Sequence, residues 1–338
     1  MIRVGCLGAG YFSQFHIDAW QRIDGATLVG VADTDLTKAQ ATPAPAFGAL
    51  DDMLSHATPE LLDIIIPPAG HARAIRTAIK AGIKTIICQK PFCTSLAEAE
   101  DIVALADEKD ITLIVHENFR FQPWYRTIKA AIDNGDIGTP LQATFRLRPG
   151  DGQGPDAYLA RQPYFQKMDR FLIHETGVHW VDTFRYLFGD PTAVYADLRR
   201  VNPVIAGEDA AVLLFDHPNG VRTIFDANRC LDHAAENTRC TMGEGLFEGD
   251  KGTLSLFGDG SVHLRAFGSQ DSQVLLAPDK SGTFGGDCTY HLQSHVIAAL
   301  QGLAPFENTA AAYLIVIKTE QAIYSSAEHQ KKVVVSSQ

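Results

Sequence analysis

The segment from Ile2 to His16, Ile-Arg-Val-Gly-Cys-Leu-Gly-Ala-Gly-Tyr-Phe-Ser-Gln-Phe-His, restricts what the rest of the chain can become. Ile2, Val4, Cys6 and Leu7 read as a buried first strand of a parallel sheet. Gly8-Ala9-Gly10-Tyr11-Phe12-Ser13 then makes a tight turn and opens a helix. Gly8 permits the turn. Gly10 has no Cβ, so a pyrophosphate can approach the backbone. The N–H groups around Tyr11 and Phe12 face it at the positive end of the helix dipole. Ser13 stands where the dinucleotide fingerprint has its third glycine, and it is small enough for close helix–strand packing. A glycine pair in a strand-to-helix turn also occurs for packing alone. Thr27 to Ala32 reads as a second strand, ended by Asp33. An acid there, about twenty residues past the glycines, fits a carboxylate bound to an adenosine ribose diol. Thr34 and Asp35 follow, with no arginine to receive a 2′-phosphate, so the pattern favours NAD over NADP. The plainer alternative is that Asp33 caps a turn.

The rest of the chain fits such a beginning. A length of 338 residues suggests two domains. The net charge of −11 argues against nucleic acid and anionic membranes as partners. The six cysteines include no Cys-x-x-Cys pair and read as reduced core residues. No signal peptide precedes the first strand and no apolar run approaches membrane-spanning length, so a cytoplasmic protein is expected. Strands at Leu62–Ile66, Lys84–Cys88 and Ile111–Val115 alternate with helices at Leu50–His56, His71–Ala81 and Leu96–Lys109, and Thr42–Gly48 is a proline-rich connection. This rhythm predicts an α/β fold that opens on a doubly wound parallel sheet over residues 1–120. Residues 121–338 then read as an α+β domain. Strands are expected at Leu141–Leu147, Val194–Arg199, Ala210–Phe215, Val221–Asn228, Gly252–Phe257 and Val262–Phe267. Helices at Leu172–Phe188, Tyr290–Gln301 and Ala310–Ser326 would cover one face of a mostly antiparallel, open-faced sheet.

Two places carry candidate chemistry. Lys90, in Gln89-Lys90-Pro91, follows the carboxyl end of a parallel strand, where ligands of open α/β sheets bind. It can stabilise negative charge on a reacting oxygen, or be a plain surface lysine. Glu175, His179 and Asp182 fall on one face of a continuous helix. An acid beside an imidazole suits acid–base work near neutral pH. The spacing also suits a metal, but no convincing third ligand follows, and a structural His–Glu pair is the alternative.

Together these pieces resemble the Gfo/Idh/MocA oxidoreductases, named from glucose–fructose oxidoreductase and inositol dehydrogenase. The match runs through Gly8-Ala9-Gly10 with His16, Pro67-Pro68 with His71, Gln89-Lys90-Pro91, Asn118-Phe119-Arg120-Phe121 with Pro123, and Gly135-Asp136-Ile137-Gly138. Glu175-Thr176-Gly177-Val178-His179 with Asp182 follows, and then Ala322-Ile323-Tyr324-Ser325-Ser326. The resemblance implies a Rossmann domain and an open-faced α/β domain, NAD as cofactor, and Lys90 and His179 as catalytic residues with Glu175 beside them. It places Gly8, Gly10, Tyr11, Phe12, Asp33, Pro67, His71, Gln89 and Lys90 at the cofactor. Asn118 and Arg120 would shape the substrate site, with Arg148 and Tyr164 as further contacts near the loop Gly150–Gly154, a candidate lid. Two positions depart from the family pattern: Gln89 replaces a glutamate, and Glu175 an aspartate.

The implied reaction is oxidation of a hydroxyl of a small sugar or polyol. The leading expectation is an aldose, such as the branched pentose apiose, oxidised to its lactone. An NAD-dependent glycosidase of the same family and a non-catalytic NAD or sugar sensor are the rival readings. An open sheet face further predicts a homodimer or homotetramer.

Overall fold

Short apolar runs, each followed by a helix, build the first part of the protein. In a computed structural model, which describes residues 1–335, they are β1 (Ile2–Leu7), β2 (Ala26–Ala32), β3 (Ala46–Phe47), β4 (Leu61–Ile64), β5 (Thr85–Gln89) and β6 (Thr112–His116). They form a wholly parallel sheet in the order β3-β2-β1-β4-β5-β6. β4 and β5 are buried along their full length, as in strands covered on both faces. The connecting helices are α1 (Ser13–Arg22), α2 (Leu36–Gln40), α3 (Leu50–His56), α4 (His71–Lys80) and α5 (Leu96–Glu108). Ser95 caps α5 by accepting the Glu98 N–H, and Glu98 accepts the Thr94 N–H in return. Strand order reverses between β1 and β4, which marks the carboxyl edge there as the ligand side. β3 was not expected. It lies in the proline-rich connection, where Pro45 supplies a carbonyl to the Val31 N–H and Phe47 one to the Asp33 N–H. Two paired residues among prolines leave no periodic signal.

The second part holds α6 (Pro123–Asp133), β7 (Pro140–Leu147), α7 (Val178–Phe188), β8 (Ala193–Arg199), β9 (Ala210–Asp216), β10 (Arg222–Asn228), β11 (Gly243–Gly249), β12 (Gly252–Leu256), β13 (Val262–Ala266), β14 (Gln273–Leu276) and β15 (Val333–Val334). The strands make one sheet in the order β14-β13-β12-β11-β7-β10-β9-β8-β15. All neighbours are antiparallel except β7 and β10. The β9–β10 hairpin turns on Asn219 (φ +61°) and Gly220 (φ +80°), the left-handed residues of His-Pro-Asn-Gly. One face carries Phe145, Phe215 and Phe225, which pack on Trp180 and Phe184 of α7. β11 escaped the sequence reading because three glycines interrupt it. They are there for close approach: a Cβ at Gly243 would overlap the Arg146 carbonyl.

The two compact units are not each one continuous stretch. The chain divides into Met1–Asn118 with Thr289–Leu314, and Phe119–Cys288 with Ile315 onward. The helix expected over Tyr290–Gln301, α8 (Cys288–Leu300), therefore covers the first unit and not the second sheet. Arg22 stacks on Tyr290 at 4.6 Å, and Gln293 donates to the buried Asp63 at 3.1 Å. The Asn308 carbonyl accepts the Val115 N–H beside β6. The last helix, α9 (Ala310–His329), is divided between the units. Among the described residues, no helix is long and apolar enough to cross a membrane.

Candidate active site

The glycine turn has the shape that its sequence demands. Gly8 has φ +110°, and a Cβ there would lie 2.4 Å from the Ile65 carbonyl oxygen, so only glycine fits. A Cβ on Gly10 would meet nothing within 4 Å; it would only fill the space before the helix start. α1 has no acidic residue in its first turn and no side-chain cap, so its positive end is left for an anion. Asp33 accepts the Ala9 N–H through Oδ2 and the Asp35 N–H through Oδ1, both at 2.8 Å. It thus holds the glycine turn and closes its own turn, while each carboxylate oxygen keeps a second lone pair for a diol. Tyr11 is exposed beside the turn and Phe12 is half-buried. These residues fit a dinucleotide, with the pyrophosphate at Gly10 and a ribose at Asp33.

Two more cofactor candidates, Pro67 after β4 and Lys90 after β5, lie at the same edge of the sheet. The remaining two, His71 and Gln89, lie buried at that edge. His71 is fully buried, with Nε2 on the Ile66 carbonyl at 2.7 Å, and burial lowers its pKa. Its work is to shape the Pro67-Pro68 loop. Gln89 is buried too. Its Oε1 accepts the Lys90 N–H at 3.0 Å, and its Nε2 lies 2.7 Å from His16 Nε2 and 3.2 Å from His116 Nδ1. His16 in turn meets Asp63 at 2.7 Å. Asp63 was missed, although an acid inside Leu62-Asp63-Ile64 signals a group that must find partners.

In the second unit the expected single helix is two structures. Leu172–Gly177 is a π-helical turn, and α7 begins at Val178. Glu175 thus stands in the π-wound turn and His179 in the first turn of α7, where the sequence predicts one regular helix. The turn is held from several sides. Glu208 accepts the Leu172 N–H through its carbonyl and the Ile173 N–H through Oε1. His174 meets Glu320 at 2.7 Å, and Thr176 accepts from the buried Arg229 at 2.7 Å. Arg229 is forked on Asp151, with bonds of 3.1 and 2.8 Å, and lies over Tyr158, Phe165 and Phe171. Burial raises the Asp151 carboxyl, but Arg229 and Arg161 outweigh it and hold it below the usual range. His179 is buried and stacks on Phe119 at 3.9 Å, nearly parallel. Arg229 and Asp151 carried no local motif; only the fold brings them to the turn.

The substrate candidates divide. Arg120 is forked on Asp182, with bonds of 2.7 and 2.6 Å, and Asp182 also binds Arg185. Arg148 is spent on Asp226 and on the Leu147 carbonyl. Both arginines are buried and held by ion pairs. Asn118 is buried, its Nδ2 3.5 Å from Thr289 Oγ1. Tyr164 is 53% exposed and its hydroxyl accepts from Gln162 at 3.1 Å; burial first, and then the charge of Glu175, push its pKa up to about 12. The Gly150–Gly154 loop is tied down by hydrogen bonds. Asn202 donates to the Gly152 and Gly154 carbonyls, Gln153 to that of Cys230, and the Gly150 and Gly152 N–H groups bond to Leu231 and Arg229.

Residues 2–117 match the model of an oxidoreductase family with an NAD-binding Rossmann fold, and residues 125–255 match the C-terminal domain of the same family, GFO/IDH/MocA. The chain belongs to the Gfo/Idh/MocA oxidoreductase family. The D-apiose dehydrogenase of Paraburkholderia graminis is 32% identical over 98% of this chain and 89% of its own length. The inositol 2-dehydrogenase of Agrobacterium fabrum is 24% identical, covering 95% of this chain and 93% of that protein. A crystal structure of an oxidoreductase from Agrobacterium radiobacter in complex with NAD+, L-tartaric acid and magnesium superposes with a TM-score of 0.88. It is 25% identical and covers 99% of this chain and 98% of that one. The protein is thus an oxidoreductase whose first unit is an NAD-binding Rossmann domain.

Proposed function

We propose that the protein is an NAD-dependent dehydrogenase that oxidises a hydroxyl of a small sugar or polyol, and that the substrate is a short aldose such as D-apiose, converted to its lactone. The observation that carries this is the near full-length similarity to D-apiose dehydrogenase, in a chain that keeps both Lys90 and His179. Bound NAD supplies the hydride acceptor. The carbinol C–H bond breaks with its electron pair, and the O–H proton goes to His179. Lys90 stabilises the alkoxide while the carbon–oxygen double bond forms. Glu175 orients and tunes His179, whose ring plane is fixed by Phe119. Asn118 and Tyr164 remain candidates for substrate contacts. NADH formation followed across a panel of aldoses and polyols tests the reading: turnover of a branched or short aldose is expected. Glycoside cleavage without net NADH, or no turnover of any sugar, would overturn it.

The same reading makes the enzyme a cytoplasmic homo-oligomer. Its six cysteines are thiols, which suits a reducing compartment. Strand register aligns Tyr195, Leu214, Ile224, Thr144 and Leu246 in one row on the open sheet face. A mostly apolar row across five strands suits pairing with a second copy.

A further inference from the structure

The geometry points to Gln89 as a positioning residue that ties the backbone of Lys90 to a buried His16–Asp63 pair and fixes His16 as the neutral Nδ1–H tautomer. Two groups that can only donate set the direction of this chain of hydrogen bonds. At one end, the Lys90 backbone N–H donates to Gln89 Oε1 at 3.0 Å. The amide cannot then be flipped, so Gln89 Nε2 faces His16 Nε2 at 2.7 Å as a donor. At the other end, the Trp20 indole N–H donates to Asp63 Oδ2 at 2.8 Å, and the amide of Gln293 reaches the same oxygen at 3.1 Å. Asp63 is therefore an acceptor, and His16 Nδ1, 2.7 Å away, must donate to it. His16 Nε2 is left to accept from Gln89, so the ring carries one proton, on Nδ1. Every side chain in the path is buried: His16 and Asp63 are 0% exposed, Trp20 1% and Gln89 7%. Water does not compete for these bonds, and the path leads from the middle of β4 to the residue assigned to the alkoxide.

A glutamate at position 89 would behave differently. One carboxylate oxygen would still accept the Lys90 N–H, but the other would face His16 Nε2 as an acceptor. His16 would then need a second proton to bridge two carboxylates. Gln89 thus keeps the relay neutral while holding the Lys90 turn. The role of Lys90 rests on the function proposed above; the tautomer of His16 does not.

Nitrogen NMR of histidine-labelled protein, with His16 assigned through a His16→Gln variant, tests the tautomer without any turnover. One protonated and one bare ring nitrogen are expected for His16 in the wild type near neutral pH, and both protonated in Gln89→Glu. Two protonated nitrogens in the wild type, or the proton on Nε2, would overturn the assignment. Kinetics test the positioning. Gln89→Met keeps the chain length and removes the bonds. Its kcat should fall about tenfold, as for loss of a buried hydrogen bond, with the KM for NAD changed less than about twofold. Gln89→Glu, which keeps the bond to Lys90, should recover at least about threefold of that loss. A KM for NAD raised about tenfold at unchanged kcat would instead make Gln89 a direct cofactor contact and contradict the proposal. If no sugar is turned over by the wild type, the functional reading fails while the NMR result still decides the tautomer.

Discussion

At the scale of single residues, the cofactor site expected from the sequence depends most on Asp33 and Gly8. The Asp33 carboxylate binds the Ala9 N–H and would meet a 2′-phosphate as a like charge. Such contacts cost about a kcal/mol or more, so kcat/KM should favour NAD over NADP by about tenfold or more. Asp33→Asn keeps an acceptor for Ala9 and removes the charge, so the preference should shrink; equal use of both cofactors by the wild type would contradict this role. Gly8→Ala should abolish NAD binding, because its Cβ would strike the Ile65 carbonyl. Residues of this kind were legible in the sequence because their signal is local: a glycine at a turn, an acid at a strand end. The ion pairs of Arg120 and Arg148 were not legible, for the opposite reason. Nothing near them in sequence announces Asp182 or Asp226 as partners.

At the scale of elements, the π-turn of residues 172–177 presents Glu175 and leads into the helix of His179, and its clamp is a buried ion pair. Arg229→Met would leave the Asp151 carboxylate with only the weaker partners Arg161 and Tyr158, and the Thr176 hydroxyl without its donor. Loss of one partner of a buried pair typically costs about 3 kcal/mol or more, which thermal or urea unfolding would register as a clear drop in stability. An unchanged midpoint would show that the pair does not hold the turn. The helix here was readable from its apolar spacing, but the π winding was not, because Glu208, Glu320 and Arg229 impose it from distant parts of the chain. Two buried histidines add a pH term. Burial lowers the pKa of both His71 and His217 below 6.5. The unfolded chain therefore takes up protons at a pH where the folded one does not, and stability is lost as pH falls from about 6.5 toward the folded values. His71→Gln should flatten that part of the stability–pH profile; a profile as steep as the wild type would contradict the argument.

At the scale of the whole molecule, the presence of a parallel sheet followed by a mostly antiparallel one was legible in how strands and helices alternate, since burial sets those patterns along the chain; the strand orders were not. The return of Thr289–Leu314 to the first unit was not legible either, because it depends on long-range partners such as Asp63 for Gln293. The row of Tyr195, Leu214, Ile224 and Leu246 leads to an assembly of two or four copies; light scattering at micromolar concentration should give a multiple of the chain mass, and Leu246→Lys should lower it. A monomeric wild type would reject that face as an interface. The central claim, hydride transfer from a sugar hydroxyl, is tested most directly by stopped-flow NADH formation on the wild type, Lys90→Met and His179→Ala, with NAD binding measured on each. Transfer should fall about a hundredfold in both variants, by analogy with removal of an oxyanion donor or a general base, while NAD affinity stays nearly unchanged. Near wild-type transfer in both variants would mean that the chain has the family's fold without the chemistry assigned to these two residues.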